Sequence, residues 1–558
     1  MMMAAENGSA SVISDDHLKK LVDSCKRNKQ DRSLTELAKD REGRVFVNRS
    51  ISMDKIKYIG FDMDHTLVVY RSPEYDKLAY QLAVQRLVSI GYPRSIENII
   101  YDEVFALRGL FFDRRYGNIL KLDSFGNILS CYHGFSALSV SEIRNYYPNK
   151  YVQVNHDRLF SLETLFHTPE TFLLSALVHF FDAHPQYTRI EEGSDQYTGV
   201  KNGDVIITYR MIQQDVRTAI DWAHIEGDLK KLTLENLPLY VKRDPRLPRC
   251  IERLRQSGKK LFIATNSGYE YTSKIMSYLF QLPDVTREWK TYFDYIIVDA
   301  KKPLFFQEGS MLREVDESTG SLRLGRFAGE LTPGKVFSGG SSDAFCKIAG
   351  AQGKEVLYVG DHIFGDIIKS KKEQAFRTFL VIPELITEIT TFENAKGLLT
   401  RIQNLEFLLS EMYHDERSSV KESVQDLPSI DAIRTAIRDT SQMIEDSYPH
   451  SLGSLLRCGS RLTYFANQVS RFADLYSSSC VNLVNYPDHY LFSSPHQLMA
   501  HETASTEEED SSVSPKLLGS GFNHKKKRNI KRNVSATVGL DLDIEDDDID
   551  GFISNDKN

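Results

Sequence analysis

Cysteine is sparse. The 558 residues hold six, at positions 25, 131, 250, 346, 458 and 480, and no two stand in CxxC or finger-like spacing. That excludes a disulfide framework and a zinc site as organising devices and makes a reducing compartment the expectation. Long apolar runs are missing too: the most apolar stretch, residues 171–181, is too short to span a bilayer and reads as a buried helix. The N-terminus carries no basic segment followed by an apolar core, and Asp15 and Asp16 speak against a transit peptide, so a cytoplasmic location is expected. Basic excess is absent as well. A net charge of −8 and a pI near 6.1 argue against a phosphate-backbone surface, so neither nucleic acid nor membrane is expected as a partner.

What remains is an ordinary globular composition, 41% hydrophobic and 26% charged, in a chain long enough for two or more substructures. Its organising stretch is Lys57-Tyr-Ile-Gly-Phe-Asp-Met-Asp-His-Thr-Leu67, a buried-strand pattern that ends in two carboxylates. Side chains two apart in an extended segment share a face, so Asp62 and Asp64 are expected to project together. Two acids that close call for a cation between them, and Mg²⁺ with substrate phosphate suits oxygen ligands.

Roughly 190 residues separate this strand from the next comparable one, Lys259 to Thr265, an interval too long for a loop and therefore structured, as a cap or lid. Helix-like segments within it run over 78–91, 159–181 and 209–224. Strand candidates follow at 295–298, 355–359 and 378–382, separated by helix patterns at 273–279 and 343–349, which predicts a doubly wound, mostly parallel α/β core. Residues 384–490 read as helical, with Ile430, Ile433, Ile437 and Ile444 at near-heptad spacing. The expected division is an arm over 1–42, a core over 43–70 and 256–400, a cap over 71–255, a helical region over 401–502 that packs on the core or forms an interface, and a disordered charged tail over 503–558. A basic cluster at 525–532 within the tail reads either as a nuclear-entry signal or as a partner of the acidic tail.

Polar residues gather at the predicted strand ends: Asp62 and Asp64; Thr265, Asn266 and Ser267; Lys302 before Pro303; Asp361 and Asp366 in Gly-Asp-His-Ile-Phe-Gly-Asp. In that order they resemble the motifs of the haloacid-dehalogenase-like (HAD) hydrolases, and more closely the cytosolic purine 5′-nucleotidase family. The likeness extends through residues 44–50, 72–75, 147–150, 302–306 and 338–343, and covers about residues 42–502. It implies a Mg²⁺-dependent phosphatase in which Asp62 attacks, Asp64 shuttles the proton, and Thr265, Asn266 and Lys302 hold the phosphoryl oxygens. Asp62, the Asp64 carbonyl and Asp361 would hold the metal, and Asp366 would orient Lys302 or metal-bound water.

The resemblance further implies that Phe166 stacks on a purine whose edges meet Arg217, Asp221 and His224. It also implies an adenine-nucleotide effector site at Lys372, Gln468 and Arg471, with Phe364 on the responding segment, and a dimer or tetramer. On the residues alone, Arg217, Asp221 and His224 share a helix face and would equally form a structural ion pair. The chain departs from the family at His167 and Ile225, where an Asn and a Tyr are usual, and at Ser161, Glu163 and Phe472 around the effector site. An acid at Glu163 would repel an anionic effector, so ATP activation is expected to be weak. Two other readings stand beside the nucleotidase: a phosphatase for a different phosphomonoester, and an oligomeric scaffold with vestigial catalysis.

Overall fold

The run leading to Phe61 is apolar on both faces, which suits a strand covered on both sides. In the computed structural model, Tyr58–Phe61 lies at the centre of a nine-stranded sheet. The structure describes residues 41–496 except 106, 191–197, 283–286 and 416–428, together with Met499 and His501. The expected arm up to residue 40 and the expected charged tail from 503, with its basic cluster, lie outside the described residues.

The sheet strands, in chain order, are β1 (Phe46–Val47), β2 (Tyr58–Phe61), β3 (Lys260–Ala264), β4 (Tyr295–Val298), β5 (Arg313–Glu314), β6 (Val336–Ser338), β7 (Val356–Gly360), β8 (Arg377–Val381) and β9 (Leu475–Ser477). In space the order is β1-β9-β8-β7-β2-β3-β4-β6-β5. Neighbours from β9 to β6 run parallel, and only the two edge pairs are antiparallel. The chain steps from β2 towards β6 and then crosses back to β7 on the other side of β2. Such a reversal leaves a crevice at the carboxyl ends of the strands, where α/β sheets bind ligands. Asp62 and Asp361 follow immediately on β2 and β7 and flank it.

The long interval after β2 is structured. Its helices are α1 (Glu74–Ser89), α2 (Thr168–Ala183) and α3 (Tyr209–Ile225). α2 is apolar nearly all round, and Phe172, Leu173, Leu174, Leu177, Val178 and Phe181 are all buried, as a helix of that composition must be. Among the described residues no helix is long and apolar enough to cross a membrane. The helix read over 159–181 is corrected at its start: Leu159–Leu162 is a strand, closing a five-stranded antiparallel sheet with Leu110–Asp113. Pro169 in the first turn of α2 marks where the helix begins. The insertion's two ends are tied by an antiparallel pair, Val69–Tyr70 with Val241–Lys242.

The region read as wholly helical over 384–490 is helical in Leu385–Asn394, Lys396–Asp415, Ile430–Glu445 and Tyr464–Phe472, but it also returns β9 to the sheet. At three residues, β9 is too short for a periodicity to reveal. Ile433 is buried, and Ile430–Glu445 packs on Lys396–Asp415.

Candidate active site

Asp62 is fixed by the sheet itself, its N–H donating to the Val359 carbonyl of β7 at 2.9 Å. The described bonds of its carboxylate both involve Oδ1: the Met63 N–H at 2.7 Å and Lys302 Nζ at 2.7 Å. Lys302 also reaches Asp366 Oδ1 at 2.7 Å and the Tyr358 hydroxyl at 3.2 Å. Asp366 sits on a widened helical turn, Ile363–Ile368, and its Oδ2 accepts the His362 N–H at 3.2 Å. One carboxylate therefore bonds the first peptide of the turn with one oxygen and the lysine with the other. Gly360 is what lets it in, because a Cβ there would stand 2.5 Å from the Asp366 side chain.

Carboxylate oxygens of Asp62, Asp361 and Asp366 lie within 4.8 Å of one another, and all three residues are buried. Burial pushes the Asp62 carboxyl up to about 7 against the pull of Lys302, with Asp366 and Asp64 adding repulsion. Asp361 is raised likewise, by burial and then by Asp62 and Asp366. Burial works against the Lys302 ammonium, but Asp366 and Asp62 outweigh it and hold its pKa above the ordinary lysine value. One ammonium facing three acids leaves the cluster short of positive charge. An all-carboxylate oxygen set of this kind fits Mg²⁺.

The strand ends at Phe61, and the Asp64 side chain is not part of the three-carboxylate group, although its charge still bears on Asp62. It accepts instead from the Tyr70 hydroxyl at 2.6 Å and the Ser267 hydroxyl at 2.8 Å. Thr265 is buried and its Oγ1 accepts the Ser267 N–H at 3.1 Å, which leaves its own proton to donate. Asn266 is exposed and brackets the Lys302 backbone, accepting its N–H at 2.6 Å and donating to its carbonyl at 3.0 Å. These bonds hold the lysine loop in place.

On the cap side, Phe166 lies edge-on to His65 at 4.5 Å and to His224 at 5.3 Å between ring centroids. Arg217 donates to Glu170 Oε2 at 2.9 Å and chelates the Asp221 carboxylate, so the ion pair read on this helix face is formed. His224 donates from Nδ1 to the Ile220 carbonyl at 2.8 Å, which makes Nε2 an acceptor. That Nε2 is buried without a partner, as are His65 Nε2, His362 Nδ1 and Glu170 Oε1. Burial lowers all of these imidazoles, His65 to about 3 and His362 to about 4, and also His167, so they are neutral. A cavity of about 1430 Å³ meets the catalytic loop through His65 and Thr66, but its lining includes neither Asp62 nor Lys302, so the acid cluster is not its floor.

Two of the expected effector residues meet at one ring. Lys372 Nζ lies 5.4 Å and the Arg471 guanidinium 5.3 Å from the centroid of Phe472. Gln468 stands beside Glu163, whose carboxyl burial raises, and Phe364 is exposed under Lys369.

Sequence reasoning did not reach Tyr70, Arg108, Glu170 or Tyr358 as parts of the site. Arg108 in particular stands in an insertion with no motif around it, and only its tertiary partners reveal it.

The chain matches the model of the 5′ nucleotidase family over residues 45–504. It is 29% identical over 454 residues to a 5′-nucleotidase domain-containing protein of Dictyostelium discoideum, the match covering 79% of this chain and 72% of that protein. Among solved structures it is similar to a HAD-superfamily hydrolase of subfamily IA from Geobacter sulfurreducens PCA, at 12% identity and a TM-score of 0.23 over 59% of this chain and 87% of that one. It is also similar to the HAD-hydrolase YfnB of Bacillus subtilis bound to magnesium, at 13% identity and a TM-score of 0.21 over 59% and 90%. Scores this low carry no argument about the site, whereas the family match spans most of the sequence: the chain belongs to the 5′-nucleotidase family and is a phosphomonoesterase.

Proposed function

We propose that this phosphohydrolase is Mg²⁺-dependent and acts on nucleoside 5′-monophosphates, purine ones foremost, through an aspartyl-phosphate on Asp62. The observation that carries the reading is the junction of Lys302 with Asp62 and Asp366 beside Asp361, a buried acid cluster that lacks one more cation. Asp62, Asp361 and the Asp64 carbonyl would hold Mg²⁺, which when bound draws charge from the phosphoryl oxygens.

The chain's own groups account for the rest. Asp62 Oδ2, free of the described bonds that hold Oδ1, attacks phosphorus, dividing a very slow hydrolysis into two faster steps. Lys302 and the Thr265 hydroxyl meet the equatorial oxygens, and Asn266 keeps Lys302 in place. Asp64, oriented by Tyr70 and Ser267, gives its proton to the leaving 5′-oxygen and then takes one from the attacking water. A nucleoside hydroxyl in place of that water makes the same enzyme a phosphotransferase.

For the base, Phe166 offers a ring face and His224 Nε2 a buried lone pair. The second reading, another phosphomonoester, is favoured by Ile225, which is 79% exposed and replaces an aromatic contact. A scaffold with vestigial catalysis is disfavoured, because buried acids that repel one another serve no purpose without a cation. We further infer only weak ATP activation, since Glu163 already engages the Gln468 amide. The division into core, cap and helical region, a dimer or tetramer, and a cytoplasmic location complete the proposal.

The deciding experiment is phosphate release from a nucleotide and sugar-phosphate panel with and without Mg²⁺. Turnover confined to nucleoside monophosphates in the presence of the metal is expected. Preference for sugar phosphates would shift the conclusion to the second reading, and no turnover at all would end the enzymatic one.

A further inference from the structure

Arg108 is a guanidinium with 1% of its surface exposed, an expensive group to bury unless every part of it is used. It comes from the insertion, two residues before the cap strand Leu110–Asp113. Its fork chelates Glu384, Nε to Oε1 at 2.7 Å and Nη2 to Oε2 at 2.9 Å, just past the end of β8. The remaining nitrogen, Nη1, donates to the main-chain carbonyl of Asp361 at 3.0 Å. One face of the plane lies 5.2 Å from the Phe465 ring centroid. Gly109, at φ +78°, permits this approach, because a Cβ there would stand 3.0 Å from both Leu455 and Phe465. Within one side chain the cap, the end of β8 and the peptide of a clustered acid are joined.

We propose that Arg108 is a positioning residue for Asp361. By bonding the Asp361 carbonyl it sets the peptide orientation that turns the carboxylate toward Asp62, and Glu384 fixes the guanidinium so that it does so. The residue touches neither phosphate nor metal; it acts on the geometry of a ligand. This rests on reading the acid cluster as a Mg²⁺ site. A planar fork bonded on two sides cannot be replaced by an ammonium, so lysine is expected to restore only part of the effect.

The test is calorimetric titration of Mg²⁺ into the full chain without substrate, with thermal melts recorded alongside. Arg108→Met is expected to weaken Mg²⁺ binding by about 10–100-fold, the usual range when a partner supporting a metal ligand is lost. Arg108→Lys is expected to fall between that variant and the wild type. Phe465→Leu, which alters packing against the guanidinium but not its bonds, is expected to stay within about twofold of the wild type on the same scale. Should Arg108→Met not fold, Glu384→Gln carries the test with an expected loss of about 3–10-fold, a milder case of the same kind. Wild-type affinity in Arg108→Lys and Glu384→Gln together would overturn the inference, as would a Phe465→Leu loss as large as that of Arg108→Met. An Asp361→Asn variant separates the two levels of the proposal. If the wild type binds Mg²⁺ no better than Asp361→Asn, the metal-site reading fails. If it binds better but the Arg108 variants match it, only the role of Arg108 fails.

Discussion

The two sides of the site are built differently. On the phosphoryl side the ionic groups grip one another: Lys302 holds Asp62 and Asp366, Asp64 is held by two hydroxyls, and Asn266 is spent on the lysine backbone. Toward the cap buried polar atoms are left open, at His224 Nε2 and Glu170 Oε1 on the cap itself and at His65 Nε2 and His362 Nδ1 on the core loops next to Asp64 and Asp361. Buried polar atoms without partners cost free energy, so they mark positions where a partner is still to come. The closed side is organised for one chemistry, and the open side for whatever the phosphate is attached to.

The comparison breaks most sharply at Asp62. Replacing it by Asn is expected to lower phosphate release on the order of 10⁴-fold or more, whatever the substrate. Appreciable turnover in that variant would remove the nucleophile from the closed side. Asp366→Asn should cost about 10–100-fold in kcat with little change in KM, since the residue acts by orienting Lys302. A change confined to KM would instead place it against substrate.

His224→Ala addresses the open side. We expect kcat/KM for the preferred nucleoside monophosphate to fall about 10-fold or more while turnover of p-nitrophenyl phosphate stays level, because only the former presents an edge to Nε2. Equal losses on both substrates would erase the distinction between the sides.

The smallest effect concerns stability. Burial pushes the Glu170 carboxyl up to about 7 from an ordinary 4.5, Arg217 notwithstanding. An acid raised on folding releases its proton sooner when unfolded, so its contribution to stability declines as pH rises through 4.5 to 7 and is level above. Glu170→Gln lacks that slope. The melting temperature of the wild type minus that of the variant should therefore drop across this window, by about a few degrees at most. A difference that grew with pH would mean that the pair with Arg217 outweighs burial.

The closed side was legible in the sequence because its residues gather at or just past the ends of apolar runs. Asp62, Thr265 and Asp361 come straight after β2, β3 and β7, and Lys302 follows closely on β4. The strand ends gather where parallel sheets bind ligands. What sequence could not convey was that Asp64 is held by the hydroxyls of Tyr70 and Ser267 and stands apart from the three clustered carboxylates, since those partners come from elsewhere in the chain. Nor could it supply Arg108 or Glu170, buried charges whose partners lie 276 and 47 residues away. The cap sheet escaped for another reason: strands such as Leu110–Asp113 and Asn118–Leu122 are buried on both faces and show no alternation to read.

The short ribbon at the neck of the insertion, Val69–Tyr70 against Val241–Lys242, has a consequence of its own. Tyr70 belongs to that ribbon and its hydroxyl holds the Asp64 carboxylate. The other hydroxyl on that carboxylate, Ser267, follows β3 of the sheet. Asp64 is thus gripped at once from the neck of the insertion and from the sheet, and on the proposed mechanism its aim depends on both.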